Sequence, residues 1–193
     1  AIRAWRCNND ALQTGFGRFA NINLLAELSY IGNVCGMDNS VEEERLLRKL
    51  LSDFEEQLGT NSSLVFKITL HLGNNLFNQG KYMEAEILGE EIMVASQAER
   101  SELSLGIQEQ ALVFLADCQF QQGSFVSAEK NIRRGIELAV QGWGMEHPSR
   151  LRHMATLEGW LRDWNRSEEA DGLRLEMNNM IGLDETDLEA MQT

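Results

Sequence analysis

The sequence reads LGNNLFNQGKYMEAE at residues 72–86 and LADCQFQQGSFVSAE at residues 115–129. Both stretches contain, in the same order, a leucine, a small residue, an aromatic ring, Gln-Gly, a second ring and Ala-Glu, at a constant offset of 43 residues. A third copy, 42 residues further on, keeps Leu157, Asn165 and Ala170 at matching positions. Self-similarity at a period of about 20 to 50 residues is typical of repeat architectures, so this repeat decides the fold.

The shared positions suit a pair of antiparallel helices. Gly73 and Ala116 are small where the two helices of a pair cross closely. Gly80 and Gly123 end the first helix, because a residue just past a helix C-terminus often needs a positive φ. Asn165 is the next-best residue there. The second helix opens with an aromatic ring and has alanine where it approaches its neighbours: Tyr82, Phe125, Ala85, Ala128 and Ala170.

Composition predicts an all-α protein. The 193-residue chain has one proline, Pro148, and long stretches rich in Leu, Glu, Ala, Gln and Met, which favour helix. No sustained apolar/polar alternation indicates strands. One helix pair cannot bury its apolar face alone, so the pairs must stack on one another.

The repeat resembles the tetratricopeptide repeat, with a period longer than the usual one of about 34 residues. The longer spacing is similar to that of the kinesin light chain subgroup. The segment GWGMEHPSRL at residues 142–151 resembles the Leu-Gly-x-x-His-Pro-x-x-Leu connector of that family. Residues 154–177 also resemble repeats at the C-terminal end of fungal NOD-like receptor proteins. The resemblance implies a right-handed α-solenoid of about four antiparallel helix pairs.

We expect an N-terminal helical remnant at residues 1–18 and a repeat domain at residues 19–193. The pairs are predicted at about 19–58, 64–98, 104–141 and 149–181. Glu158 departs from the family pattern, which has a small residue at this position. The larger glutamate side chain works against close packing of the two helices of the last pair. From residue 182 the tail reads as a further helix cut short, which indicates a piece of a longer protein. The alternative is a capping helix with a polar outer face.

The resemblance also implies where a partner binds, because the first helices of successive tetratricopeptide pairs line a concave groove. The corresponding positions here are Lys67, Leu70, Asn74, Phe77 and Asn78 in the second pair, Gln110, Val113, Asp117, Phe120 and Gln121 in the third, and Arg152, Ala155, Gly159, Arg162 and Asp163 in the fourth.

Phe77 and Phe120 occupy the same repeat position, and amides cluster around them. Amides can pair with the backbone of an extended peptide while rings hold its apolar side chains. The alternative is that both rings are buried between adjacent pairs, since large apolar residues on helices are usually core. A clamp for a terminal carboxylate is disfavoured because Asp117 and Asp163 interrupt the basic groups.

The formal net charge of −13 opposes binding to nucleic acid or to an anionic membrane, since both need basic surfaces. No apolar run approaches the roughly 20 residues of a membrane span. The first residues lack the apolar core of a secretory leader, and three scattered cysteines form no disulfide framework. We therefore expect a cytoplasmic location and a protein or peptide partner.

The sequence contains no motif that is typical of catalysis, metal binding or cofactor binding. There is no phosphate loop and no dinucleotide glycine pattern. Cys118 lies between apolar repeat positions and is interpreted as a packing residue, and His153 and His147 have no further ligand at metal-binding spacing. The run Glu42-Glu43-Glu44 reads as a solvated helix face, with Arg45 and Arg48 nearby for pairing.

The sequence thus predicts a non-enzymatic module that holds a partner segment in its concave groove, with no cofactor and no metal. The alternative is an oligomerisation or structural role, in which one end of the stack packs on another copy or on the rest of a larger receptor-like protein. An exposed apolar face on the last helix, between residues 173 and 181, would favour that alternative.

Overall fold

The computed structural model describes residues 28, 31, 39–60, 62–97 and 102–182. All regular structure in these ranges is α-helical, with no strand among them, so the all-α prediction is confirmed for this part of the chain. The helices are α1 (Ser40–Leu58), α2 (Ser63–Asn78), α3 (Tyr82–Gln97), α4 (Glu102–Gln121), α5 (Phe125–Trp143), α6 (Pro148–Asp163) and α7 (Ser167–Ile181).

Some predicted segments lie outside the described residues: the remnant at 1–18 and the tail at 183–193. Most of the first helix of the first predicted pair also lies outside the described residues. Leu28 and Ile31 of that segment are described: both are helical, and Ile31 is buried. The chain divides into two compact units, at residues 1–80 and 81–193. The second predicted pair therefore has its first helix, α2, in the first unit and its second helix, α3, in the second unit.

In the first unit, α1 and α2 form an antiparallel hairpin. Asn75 near the end of α2 donates to Glu43 near the start of α1, at 2.8 Å from Nδ2 to Oε2. Gln79 donates to Glu44 at 3.0 Å and to the Ser40 carbonyl oxygen at 3.3 Å. The apolar core of this unit is built from α1 and α2 side chains: Leu47, Leu50, Phe54, Leu64, Val65, Phe66, Ile68, Leu72 and Leu76.

In the second unit, consecutive helices pack on one another in chain order. Gln119 at the end of α4 donates to Glu86 at the start of α3, at 2.8 Å, and accepts from Asn131 at the start of α5, at 2.9 Å. Neighbouring helices are therefore antiparallel. A buried cluster joins α4, α5, α6 and α7 through Ala116, Ala128, Ile132, Leu157, Trp160, Leu161 and Ala170.

The turn residues behave as the repeat predicts. Gly80, Gly123 and Asn165 have φ angles of 76°, 79° and 58°, and Asn165 is the one non-glycine residue with positive φ in the described ranges. Pro148 stands at the first position of α6, where its missing N–H breaks no hydrogen bond. His147 caps that helix, since its Nδ1 accepts from the Ser149 backbone N–H at 3.3 Å.

The small residues of the repeat sit at close helix crossings, also as predicted. Ala85, Ala116, Ala128 and Ala170 have no exposed surface. Gly135 shows how tight the α4–α5 crossing is: a Cβ built there would stand 2.8 Å from Cγ2 of Val113.

Glu158 is accommodated where the pattern has a small residue. The side chain is buried and pairs with Arg162 one turn later on α6, and with Arg174 of α7 at 3.1 Å. Two guanidinium groups thus offset the burial of the carboxylate, and α7 packs on α6 despite the larger side chain.

One interhelical link recurs with the repeat and corrects the prediction for residues 42–44. Each of Glu44, Glu86 and Glu129 lies near the start of a second helix and binds a residue that follows the end of the next first helix. Their partners are Gln79 (3.0 Å), Gln122 (2.7 Å) and Arg166 (2.5 Å), respectively. Glu42 and Glu44 do pair with Arg45 and Arg48 on the helix surface as predicted. Glu43 and Glu44 also reach α2, however, so this run is not simply a solvated face.

Candidate partner-binding site

The predicted groove residues of α2 belong to the first unit. Lys67, Asn74 and Asn78 are exposed, whereas Leu70 and Phe77 are partly buried. The polar members of this set are therefore accessible to solvent, and Phe77 exposes only part of its ring.

The remaining predicted groove residues lie on α4 and α6 of the second unit, and the structure brings these two helices side by side. His153 of α6 contacts Glu109 of α4, 44 residues away in the sequence, and Trp160 of α6 stacks on Phe120 of α4. Both contacts join residues about one repeat period apart. The two first helices therefore run parallel, as successive first helices of a tetratricopeptide array do.

The polar groove residues of this pair of helices face solvent. Gln110 and Gln121 on α4 are exposed, as are Arg152, Arg162 and Asp163 on α6. Arg162 is held in place by ion pairs with Glu158 and with Asp171 of α7, the latter at 2.9 Å.

Between Arg152 and Arg162 the surface of α6 carries only small residues. Ala155 is exposed, and a Cβ built at Gly159 would meet no atom within 4 Å. Ala155 and Gly159, called the open strip below, therefore lie between flanking polar side chains, with open space at the Cβ position of residue 159.

Phe120 belongs to an aromatic cluster. Its ring stacks on Trp160 with centroids 4.6 Å apart and planes 9° from parallel. Phe125 and Trp164 lie against the same ring at 5.6 Å and 6.1 Å. Phe120 and Val113 both pack against the buried cluster of the unit. The structure thus agrees with the alternative in which Phe120 packs between adjacent pairs, and only part of its ring is open to a partner.

Asp117 is the acidic residue in the middle of the α4 set. Burial disfavours its charged form and raises the pKa of the carboxyl from 3.8 to about 6, although the nearby His153 acts in the opposite direction. The groove surface of α4 therefore contains a carboxyl group that exchanges its proton near neutral pH.

A buried polar network beneath this surface was not predicted from the sequence. His153 Nε2 lies 2.6 Å from Glu109 Oε1, and the Trp143 indole N–H donates to Glu109 Oε2 at 3.4 Å. The only sequence signal was the position of His153 on the inner side of α6, next to the buried Met154. His147 lies outside this network and stacks with Trp143.

Cys118 and the possible metal ligands were also located in the fold. Cys118 is fully buried, and burial raises the pKa of its thiol to about 12, so the thiolate nucleophile is absent at neutral pH. The described ranges contain no group of three His, Cys, Asp or Glu side chains that could hold a metal ion. Nor does any helix within them combine the length and apolarity of a membrane span.

The sequence matches no protein-family model and no curated protein. The tetratricopeptide resemblance therefore rests on the repeat residues themselves and stays a prediction.

Proposed function

We propose that this chain is a cytoplasmic, non-enzymatic interaction module of the tetratricopeptide type, built as a right-handed solenoid, that holds an extended segment of a partner protein along α4 and α6. This proposal rests mainly on the open strip at Ala155 and Gly159, which is flanked by exposed hydrogen-bonding side chains. An extended peptide has unpaired backbone groups, and side-chain amides and guanidinium groups satisfy them.

The fixed position of α4 against α6 also supports this proposal. Beneath the strip, Phe120 and Trp160 are stacked and Glu109 is bonded to His153, so α4 and α6 are held in a fixed register. A preformed groove loses little conformational entropy when a partner binds, which favours affinity.

A second candidate function is self-association or docking through α7. Leu175 of that helix is 52% exposed, and Met177 and Met180 are partly exposed on another face of it. Exposed apolar side chains on the last described helix suit packing on a further repeat or on another copy of the chain.

Gly159→Tyr tests the groove, because it places a ring on the strip from a position where the first side-chain carbon meets no atom within 4 Å. Gly172→Tyr on α7 is the matched control, since a Cβ there also meets nothing within 4 Å. Partners would be captured with both variants and the wild type from extracts of cells that express the protein, and identified by mass spectrometry.

We expect a partner that is lost with Gly159→Tyr and retained with Gly172→Tyr. Equal retention by both variants would contradict binding along α4 and α6. Loss with Gly172→Tyr alone, together with a mass in solution that rises with concentration, would favour the second candidate.

A further inference from the structure

A second concave surface lies on α3, α4 and α5 and shares no residue with the proposed groove. It is a cleft of about 560 Å³, lined by residues between Met93 of α3 and Leu138 of α5. Sites that take small ligands or peptide side chains have volumes of about 300 to 1,000 Å³, so the size suits a short segment of a partner.

The floor of this cleft is apolar. Leu112 of α4 and Leu138 of α5 are 7% and 2% exposed, and Met93 of α3 is partly exposed beside them. Methionine adapts its shape to irregular apolar groups, so this floor can receive an aliphatic or aromatic side chain.

The rim is basic, in contrast to the chain as a whole. Lys130, Arg133 and Arg134 line the cleft with Glu137 as the single acidic residue among its lining side chains. Arg134 pairs with Glu137 at 2.6 Å, and Arg133 pairs with Glu129 at 2.7 Å and with Glu169 at 3.5 Å. Lys130 is exposed and makes no ion pair with any described residue. One lysine and two half-exposed guanidinium groups thus surround an apolar floor.

Amide side chains complete the lining. Gln97 is exposed at the end of α3, and Gln108 lies opposite on α4, where its Nε2 donates to the Ser96 carbonyl oxygen at 3.3 Å. Such amides pair with peptide backbone groups.

We propose that this cleft binds an acidic peptide segment of a partner protein, with an apolar side chain on the floor and flanking carboxylates on the Lys130 and Arg134 rim. The net charge of −13 does not prevent this, because charges farther away than the Debye length of about 8 Å are largely screened at physiological salt. The same net charge disfavours nucleic acid, whose phosphates extend well beyond the cleft.

The probe is a fluorescein-labelled decapeptide that alternates aspartate and leucine, compared by anisotropy with lysine–leucine and serine–leucine peptides. The test variant is Lys130→Gln/Arg134→Gln. Arg45→Gln/Arg48→Gln on α1 is the matched control, because Arg45 also pairs with a glutamate three residues away and is similarly exposed. Nitrogen-15 spectra with the unlabelled peptide locate the contact.

We expect the aspartate peptide to bind most tightly, to shift resonances of Met93, Leu112 and Asn131, and to bind about tenfold more weakly to the test variant. The control should change affinity less than about twofold, because isolated surface charges contribute little. Equal binding of the serine peptide, equal loss in both variants, shifts confined to Gln110 and Gly159, or tighter binding of a single-stranded oligonucleotide would each overturn the proposal.

Discussion

His153 and Glu109 form a buried hydrogen-bonded contact that joins two helices one repeat apart. Their side chains are 7% and 5% exposed, and Nε2 lies 2.6 Å from Oε1. Trp143 at the end of α5 donates to the other carboxylate oxygen. Three helices therefore meet at one carboxylate, and the register of α4 against α6 depends on this contact as well as on the Phe120–Trp160 stack.

His153→Ala should destabilise the fold by roughly 1 to 3 kcal/mol, because it leaves a buried oxygen of Glu109 without its main hydrogen-bond partner. Urea denaturation followed by circular dichroism measures the loss. Arg134→Gln, which breaks an exposed pair with Glu137, serves as control and should cost less than about 1 kcal/mol. Similar losses in the two variants would show that the buried pair contributes no more than a surface pair.

Asp117 should make stability depend on pH. Its folded pKa of about 6 lies above the value of 3.8 for the exposed group, so the folded state binds this proton more tightly than the unfolded state. The contribution of Asp117 to stability is therefore most favourable below about pH 4, falls as pH rises to about 6, and stays low above that.

Asp117→Asn removes this titration while keeping the shape. We expect the variant to exceed the wild type in free energy of unfolding by about 1 to 3 kcal/mol at pH 7.5, and the difference to vanish near pH 3.5. Urea denaturation at both pH values measures it, and Asp163→Asn on the exposed surface is the control. A difference that does not change with pH would show that burial of the Asp117 carboxylate is not its cause.

Two helical glycines should respond in opposite directions to the same substitution. Gly159→Ala should stabilise the protein by about 0.5 to 1 kcal/mol, because alanine has the higher helix propensity and its methyl group meets nothing. Gly135→Ala should destabilise it by about 1 to 3 kcal/mol, since the methyl group would stand 2.8 Å from Val113. Thermal unfolding of both variants measures the effects; destabilisation by Gly159→Ala would mean that the strip on α6 is not open.

Much of the helical framework could be predicted because it is encoded locally. The positive φ at Gly123 and Asn165, the proline at the start of α6 and the buried alanines are all properties of single positions in a repeated pattern. The repeat itself also predicted which helices are first and second in each pair, and the contact between Glu109 and His153 one period away agrees with that assignment.

The polar contacts could not be predicted in the same way, because they depend on which side chains meet after the helices have packed. Glu44 and Glu86 look like ordinary surface glutamates in the sequence, yet each binds a residue that follows the end of the next helix. The basic cleft could not be predicted for a related reason, since its lining comes from three helices. The overall charge of −13 also does not indicate a local excess of cations.

Phe120→Ala should destabilise the protein by about 2 to 4 kcal/mol, because it removes a ring packed on Trp160, Phe125 and Trp164. Gln121→Ala, at the exposed neighbouring position, should be nearly neutral. Urea denaturation measures both, and tryptophan fluorescence reports the loosened stack directly. A loss below about 0.5 kcal/mol for Phe120→Ala would indicate a ring that is dispensable to the core and open to a partner. If the larger loss is found, weakened partner binding by a Phe120 variant reflects damage to the fold, and Gly159→Tyr remains the variant that tests the groove.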